Sequence, residues 1–266
     1  MIVGEVQRWR QRRGCYRPAG EPIDPRRWEV AELLDDTTPK AFVCEHHYSG
    51  TYPAALRRFG IYAKGGQLEG VAVLSMPAQP KVLNILAGDK STPRGELGRF
   101  VLTDIVPANG ESWFLAECFR RLRRDGWTGV VSHADPVPRP AADGRVVFGG
   151  HIGSAYQALN AIYTGRTKPR TLRLLPDATV VSPRALTKIR KRERGWRYAT
   201  EQLVKHGAAP LLEDEDSRAW VKRWLAALTR PLRHEGNLRY VWSFNERHRK
   251  SLKPKPYPKD IGLLLL

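Results

Sequence analysis

Cysteine is scarce in this chain, long apolar runs are missing, and acidic residues are too few to balance the basic ones. Each shortage excludes something. Three cysteines, Cys15, Cys44 and Cys118, lie far apart in 266 residues. That is no disulfide framework, and it lacks the paired spacing of a zinc ribbon. All three are expected to be structural or incidental, Cys118 inside an amphipathic helix and Cys44 inside a strand, with a free nucleophilic cysteine as the alternative. No apolar span is long enough for a bilayer, and the Leu263–Leu266 run is far too short to cross one. Arg-rich sequence starts at Arg8 without the apolar core of a secretory signal, so a reducing, intracellular setting is expected. No internal repeat is present.

The charge deficit is the largest of these signals. Lys and Arg number 45 against 27 Asp and Glu, a net charge of +18. The excess is uneven: residues 1–165 hold 21 basic against 17 acidic side chains, whereas residues 166–266 hold 24 against 10. A nearly balanced front half followed by a strongly cationic back half points to a polyanion partner. Hydrophobic residues make up 41 % of the chain, enough for a packed core.

Polar clusters sit against strand-like apolar runs throughout the front half. They are His46-His47-Tyr48-Ser49-Gly50, Glu96-Leu97-Gly98-Arg99, Asn109-Gly110-Glu111-Ser112, Ser132-His133-Ala134-Asp135 and Tyr156-Gln157-Ala158. Polar groups at the ends of apolar strands are how an α/β scaffold presents chemistry at one rim of its sheet.

The patterning predicts a lead-in over residues 1–40 with a short helix near Trp28–Leu34. A short strand Ala41–His46 follows, then two strands, Arg57–Ala63 and Leu68–Met76, hinged on Lys64-Gly65-Gly66-Gln67. A buried strand Glu96–Asp104 then turns at Pro107–Gly110 into a helix burying Trp113, Leu115, Ala116, Phe119 and Leu122. Arg120, Arg121, Arg123 and Arg124 lie near its C-terminus, where the helix dipole favours cations. Next come a central strand Thr128–Ser132, a short helix Ser154–Ala161 and a hairpin of Thr171–Leu175 with Thr179–Val181. Beyond it, Ser182-Pro183 caps one helix running to about Gly207. A second helix, Glu215–Leu228, places Trp220 and Trp224 on one face, and Lys250–Lys259 reads as an extended, solvated arm. The expected division is 1–40 lead-in, 41–181 catalytic domain and 182–266 basic helical extension. The fold class is α/β with a mixed sheet, in the element order of the GNAT acyltransferase superfamily.

Taken together, the five clusters resemble the Mom family of bacteriophage DNA-modification proteins over roughly residues 43–175. The basic stretch Ser182–Leu203 is similar to that of actinobacterial phage relatives. The resemblance implies a GNAT-like transferase that adds a methylcarbamoyl (acetamido) group to the exocyclic amine of adenine in DNA. This modification hides phage DNA from restriction enzymes. It further implies double-stranded DNA as partner, no membrane, and a place in the host-cell cytoplasm with the nucleoid.

An adenine exocyclic amine is a poor nucleophile, because its lone pair is delocalised into the ring. An enzyme must remove its proton, orient it or supply a reactive electrophile. Under the resemblance, Asp135 is the proton acceptor and Tyr48, Ser49, Ser132 and Tyr156 are the catalytic hydroxyls. Tyr156 stands where GNAT enzymes often keep the tyrosine that protonates the leaving thiolate. Arg99, Glu96, Glu111, Ser112 and His133 are assigned to substrate binding, Arg99 with Glu96 or Glu111 as its partner. The bland readings are a loop carboxylate for Asp135, surface hydroxyls, and a structural ion pair for Arg99. His133 and Asp135, two apart on a strand, are expected to face one side and with His46 or His47 could form a His/His/carboxylate set, a pattern suited to non-haem iron or zinc, of which the resemblance implies iron. Solvated or hydrogen-bonded histidines are the alternative. Lys188, Arg190, Lys191, Arg192, Arg194 and Arg197 are expected to follow DNA phosphates. Trp196, Trp220, Trp224 and Trp242 are expected to pack in cores rather than stack on bases. A base inside a duplex cannot reach an active site, so extrusion of the target base is expected.

One departure from GNAT enzymes bears on the group donor. Their acyl-CoA pyrophosphate is bound by backbone N–H groups of a Gly-rich basic loop. Here Val106–Ser112 holds one Gly, a Pro without an N–H, and Glu111. The donor is therefore unidentified, with acyl-CoA in its usual mode disfavoured. Two other functions stay open on residues alone: an N-acyltransferase acting on a protein or small-molecule amine, and a non-catalytic DNA-binding protein.

Overall fold

The computed structural model describes residues 5–259, so the Leu263–Leu266 run lies outside the described residues. The chain opens with a hairpin of β1 (Glu5–Arg10) and β2 (Arg13–Pro18), then β3 (Trp28–Glu32). Helix α1 (Thr37–His46), strands β4 (Ala55–Ala63), β5 (Leu68–Ser75) and β6 (Gly95–Leu102), helix α2 (Gly110–Arg124) and strand β7 (Gly129–Ala134) follow. Beyond them come β8 (Arg139–Pro140), β9 (Val146–Phe148), α3 (Ser154–Ala158), β10 (Ile162–Arg166) and β11 (Arg170–Leu174). The chain continues through α4 (Pro183–Lys191), α5 (Trp196–Val204), α6 (Ser217–Leu228), β12 (Arg230–His234), β13 (Leu238–Ser243) and α7 (Glu246–Ser251). Among the described residues no helix is long and apolar enough to cross a membrane.

Two compact units result. One takes the chain up to Pro136, Gly150–Thr167 and the chain from Asn237; the other takes Val137–Gly149 and Lys168–Gly236. The first is a mixed α/β unit built on a seven-stranded sheet ordered β10-β13-β7-β6-β5-β4-β3. Every neighbouring pair is antiparallel except β6–β7, which is parallel and pairs only at Gly95↔Val130 and Glu96↔Val131. Beyond those two positions the strands no longer pair, which leaves a cleft at the C-terminal ends of β6 and β7.

Helix α2 covers one sheet face. Its apolar stripe, Phe114, Leu115, Cys118, Phe119 and Leu122, packs in one core with Phe59, Ile61, Leu74, Leu97, Val130 and Trp242. Each large side chain contributes about 1.5–3 kcal/mol of burial before entropy is counted. Cys118 is fully buried, and burial pushes its thiol well above the ordinary value of 9.0, so it is a packing residue. The N-terminal end of α2 is held by a residue ninety-eight positions away from Val106. The buried Arg8 guanidinium donates to the carbonyls of Val106 and Pro107 and pairs with Glu111. Burial lowers Arg8 to about 10.

A bulge in β6 sets the direction of Arg99. Val73 pairs with Arg99 and Leu74 with Leu97, so Gly98 is an inserted residue. Leu97, Phe100 and Leu102 can then all reach the α2 core while Arg99 turns away. Gly98 suits this place because a Cβ there would overlap the Ser75 hydroxyl.

The second unit buries Leu175, Val181, Leu186, Ile189, Leu203, Trp220 and Val221. Trp220 donates its indole N–H to the Ala209 carbonyl at 3.0 Å. Trp242 is buried in the first unit, while Trp196 and Trp224 are half-buried, so the core expectation holds fully for two of the four.

Several local expectations are corrected. Residues near Trp28–Leu34 form the edge strand β3 rather than a helix, because pairing with β4 satisfies their backbone. Ala41–His46 lies in helix α1, not a strand; Asp35 accepts from the Thr37 N–H at 2.7 Å at its start, and Val43 is buried. Leu175 and Thr179 do form a turn, but β11 pairs with β12, from residues 230–234, and meets Val180 only at one bridge. The long basic helix is two helices. Arg192 at φ 48° and Gly195 at φ 83° end α4 and start α5. Arg192 in this left-handed conformation is held by hydrogen bonds to the Leu212 and Glu215 carbonyls and by stacking on Trp196. The segment after Ser182 also returns strands β12 and β13, so it is not wholly helical.

Two outcomes test this packing. Arg8→Ala leaves two carbonyls and Glu111 without their partner and is expected to cost about 3–5 kcal/mol in urea unfolding; a loss below about 1 kcal/mol would show that Arg8 does not hold the α2 end. Gly98→Ala is expected to cost about 1–3 kcal/mol, partly recovered in the double variant with Ser75→Ala. Purely additive effects would mean the Ser75 contact is not the reason for glycine.

Candidate functional site

The ends of β6 and β7 carry the first group of polar side chains. Strand alternation sends neighbours to opposite faces. Val130 and Ala134 join the α2 core, and Ser132 between them is fully buried, donating its hydroxyl to the Leu97 carbonyl at 3.2 Å. It also hydrogen-bonds the phenol of Tyr156, which α3 brings in. Burial is the main cause that raises Tyr156 above its ordinary 10.0; the Ser132 hydrogen bond opposes it and the Glu96 charge adds to it. Tyr156 is therefore a neutral phenol with a proton to give. His133 turns to the other face, where its Nδ1 lies 2.7 Å from Glu96 Oε1.

The second group follows α1. His47 is buried; its Nδ1 accepts from the Ser49 N–H at 3.1 Å and lies 2.9 Å from Ser49 Oγ, so the neutral ring carries its proton on Nε2. Burial, then the charges of Arg99 and His151, push His47 well below 6.5. Arg99, turned out by the bulge, donates from Nε to the Thr51 carbonyl at 2.8 Å, from Nη2 to Thr51 Oγ1 at 2.7 Å and from Nη1 to the Gly98 carbonyl at 2.5 Å. The expected carboxylate partners are not the ones it takes: Glu96 meets His133 and Glu111 meets Arg8. Thr51 is a residue that sequence reasoning missed. Burial lowers Arg99 from 12.5, opposed by Tyr48 and Glu96, and the guanidinium stays a cation.

His151 joins the two groups. Its ring centroid is 6.5 Å from that of Tyr48 and 6.3 Å from that of Tyr156, both edge-on. Its backbone N–H donates to the Asp135 backbone carbonyl at 2.7 Å, and its ring Nε2 accepts from the Asp135 backbone N–H at 3.5 Å. Asp135 itself is buried. Tyr48 also stacks against His47, at 4.2 Å, and Trp9, at 4.9 Å. Hydroxyl and imidazole groups, the Glu96 carboxylate and the Arg99 guanidinium thus gather around the cleft between β6 and β7, with the Asp135 backbone bound to His151. His151 was not predicted. The local signal is its place in Gly149-Gly150-His151-Ile152-Gly153, a glycine-rich turn leading into α3. Nothing periodic marks it.

Other expected site residues fall elsewhere. Glu111 is spent on Arg8, and Ser112 donates to the Asn109 carbonyl at 3.0 Å in the first turn of α2. The proposed metal set does not assemble. Among the described residues no three His, Cys, Asp or Glu side chains lie close enough together to hold an ion. His46 packs on Phe42 and accepts from the Gln11 N–H, while His47 and His133 are committed to Ser49 and Glu96. Iron does not fit these residues. Nor does a pyrophosphate at the start of α2: Asn109 Oδ1 accepts from the Ile23 N–H at 2.7 Å, the Gly110 N–H goes to the Pro107 carbonyl, and the cation paired there, Arg8, is already neutralised by Glu111.

In the second unit Arg190, Lys191 and Arg194 are exposed and Lys188 is half-buried. Arg192 and Arg197 are committed within the unit: both stack on Trp196 and pair with Glu213. They brace the α4–α5 break rather than standing free for phosphates.

Residues 27–259 match the family described as the Mom protein family. The chain belongs to the Mom family. That family is one of phage DNA modification, and membership covers the edge strand β3, the cleft and both basic helices alike. No curated protein matches the chain. Among solved structures, a tandem GNAT protein from the clavulanic acid biosynthesis pathway (without AcCoA) aligns with 10 % identity and a TM-score of 0.40, covering 81 % of this chain and 98 % of that one.

His47 supplies a pH test. Its folded pKa lies below the unfolded value of 6.5, so unfolding takes up a proton at acid pH, and the stability it contributes is lost as pH falls below about 6.5. The difference in unfolding free energy between wild type and His47→Gln is expected to shrink through that window, with a slope of at most about 1.4 kcal/mol per pH unit. A difference independent of pH from 5 to 8 would contradict a neutral, buried His47.

Proposed function

We propose that this protein transfers a methylcarbamoyl (acetamido) group to the exocyclic amine of adenine in DNA. The observation that carries the proposal is that His151 contacts both Tyr48 and Tyr156 and the backbone of the buried Asp135, with Arg99 close to Tyr48, in a chain of the Mom family. The donor is an acetamide activated at its methylene carbon by a leaving group. The adenine nitrogen forms a bond to that carbon, and the bond to the leaving group breaks with its electron pair. The proton lost by the amine goes to the Asp135 carboxylate. The leaving group takes its proton from Tyr156, whose burial keeps it a phenol at neutral pH. Arg99, aimed by Thr51, carries positive charge where the transferred carbonyl or an anionic donor gains negative charge. His47 stays neutral beside Arg99, which avoids the like-charge repulsion an imidazolium would bring.

DNA is bound through cationic side chains, among them Lys188, Arg190, Lys191 and Arg194, and the target base is extruded so that its amine reaches the cleft. Protection of phage DNA from restriction follows from the altered amine. The test is nucleoside mass spectrometry of plasmid DNA from cells expressing wild type, Asp135→Ala and Tyr156→Phe. A modified deoxyadenosine is expected with wild type, reduced about 10²–10⁴-fold in each variant. Unmodified adenine with wild type would sink the reading, and wild-type levels in both variants would sink the assigned roles.

A further inference from the structure

The C-terminal arm is extended and mostly exposed, as its Lys-Pro alternation predicts, but it is anchored rather than loose. After α7 it crosses strand β10 and is pinned at three places. The Lys255 N–H donates to the Tyr163 carbonyl at 2.9 Å, Tyr257 Oη donates to the Ala161 carbonyl at 2.7 Å, and Gln157 Nε2 donates to the Pro258 carbonyl at 3.3 Å. Pro254, Pro256 and Pro258 remove every second N–H, so the arm cannot extend into a ladder and stays extended. The Lys255 stem lies over Gly165, at φ 108°, where a Cβ would come within 3.0 Å of the ammonium nitrogen. The strand is therefore bare of a side chain where the arm crosses it.

Between the arm, α7 and β10 runs an open groove of about 550 Å³. Its walls are apolar and aromatic, with Ile162, Tyr163, Leu252 and Tyr257, and its cations are Arg249, Lys250 and Lys255. One acid, Glu246, lies 3.8 Å from Lys250 in an exposed pair too weak to neutralise the groove. Lys253 and Lys259 are exposed on either side along the arm. Lys253, Lys255 and Lys259 share one alternate-residue series on an extended, hydrogen-bonded backbone, and Tyr257, which takes the place between the last two, is exposed.

We propose that this groove and arm bind the phosphodiester backbone of a nucleic-acid strand, a contact separate from the basic helices α4 and α5. Lysines suit phosphates as point charges, and a partly exposed tyrosine beside them suits a stacked base. The occupant rests on the DNA reading given above.

The experiment measures binding of the full chain to labelled duplex and single-stranded oligonucleotides by fluorescence anisotropy, over a salt series, for wild type and Lys253→Gln/Lys255→Gln/Lys259→Gln. The substitutions are on exposed side chains, and an unchanged thermal midpoint verifies the fold. The expected result is about a 10–100-fold weaker affinity at physiological salt and a slope of log K against log salt reduced by about 2–3. Restored binding in the corresponding triple Arg variant supports charge as the cause. A greater loss for single strands than for duplex identifies the groove as a strand path, and an equal loss identifies it as a duplex contact; both support the proposal. Unchanged affinity and slope in the triple Gln variant overturn it, even where plasmid adenine is still modified. Loss of binding in a protein that modifies no adenine supports the groove while the reaction reading falls. Tighter wild-type binding to phosphatidylserine vesicles than to either oligonucleotide also overturns it.

Discussion

The parallel contact between β6 and β7 lasts for two residue pairs and then stops, and the site depends on that early stop. Where two strands pair fully, their backbone groups satisfy one another and their side chains divide between two crowded faces. Where they part, polar side chains from both strands can turn toward the gap. Ser132 closes the root of the gap by donating to Leu97, His133 and Glu96 pair with each other, and Asp135 and Arg99 meet partners from other parts of the chain. Those partners, His47 to Thr51 after α1 and His151 to Tyr156 around α3, are more than eighty residues apart in sequence.

Burial then decides the chemical state of each group. His47 is stripped of water and placed near Arg99, which keeps it neutral. Tyr156 is buried against Trp242 and Tyr240, which keeps its proton on. Arg99 alone remains a cation, because a guanidinium holds its charge even when partly desolvated and three oxygen acceptors compensate it. A neutral acid, a neutral imidazole and a fixed cation within one cleft suit proton transfer and charge stabilisation better than they suit a metal, whose ligands would have to be released from Ser49 and Glu96. The same logic governs the start of α2. The helix end that could hold a phosphate is closed by Arg8 and Glu111, a local charge balance made inside the protein.

The elements with strong periodic patterns were legible. Helix α2 and the β4–β5 hairpin lie where expected, because an apolar stripe and a Gly-Gly turn are local signals, but the stripe of α2 buries Phe114 and Cys118 where Trp113 and Ala116 were expected, and those two are only half-buried. The failures have specific causes. Ala41–His46 is apolar enough for a strand, but its neighbours offer no ladder and a helix satisfies its backbone alone. Trp28–Glu32 became a strand only because β4 was there to pair with it. Arg192 looked like one more exposed cation in a basic helix; its left-handed backbone and its stacking on Trp196 are tertiary facts. Of the site residues, the hydroxyls, Asp135 and Arg99 were visible as polar clusters, whereas Thr51 and His151 carried no periodic mark.

Sequence alone determined the class of the protein: a mixed α/β core from its apolar periodicities, a strongly cationic back half from its composition, and a family from five short motifs in a fixed order. Tertiary structure alone decided who touches whom. The bulge at Gly98 chose Thr51 for Arg99, the sheet edge chose a path for the lysine-rich arm, and the glycine turn before α3 placed His151 between two tyrosines. The physical reason is that periodicity and composition report which side chains leave water, a property of each segment, while hydrogen-bond partners and pKa shifts depend on distances between segments that only the packed chain defines.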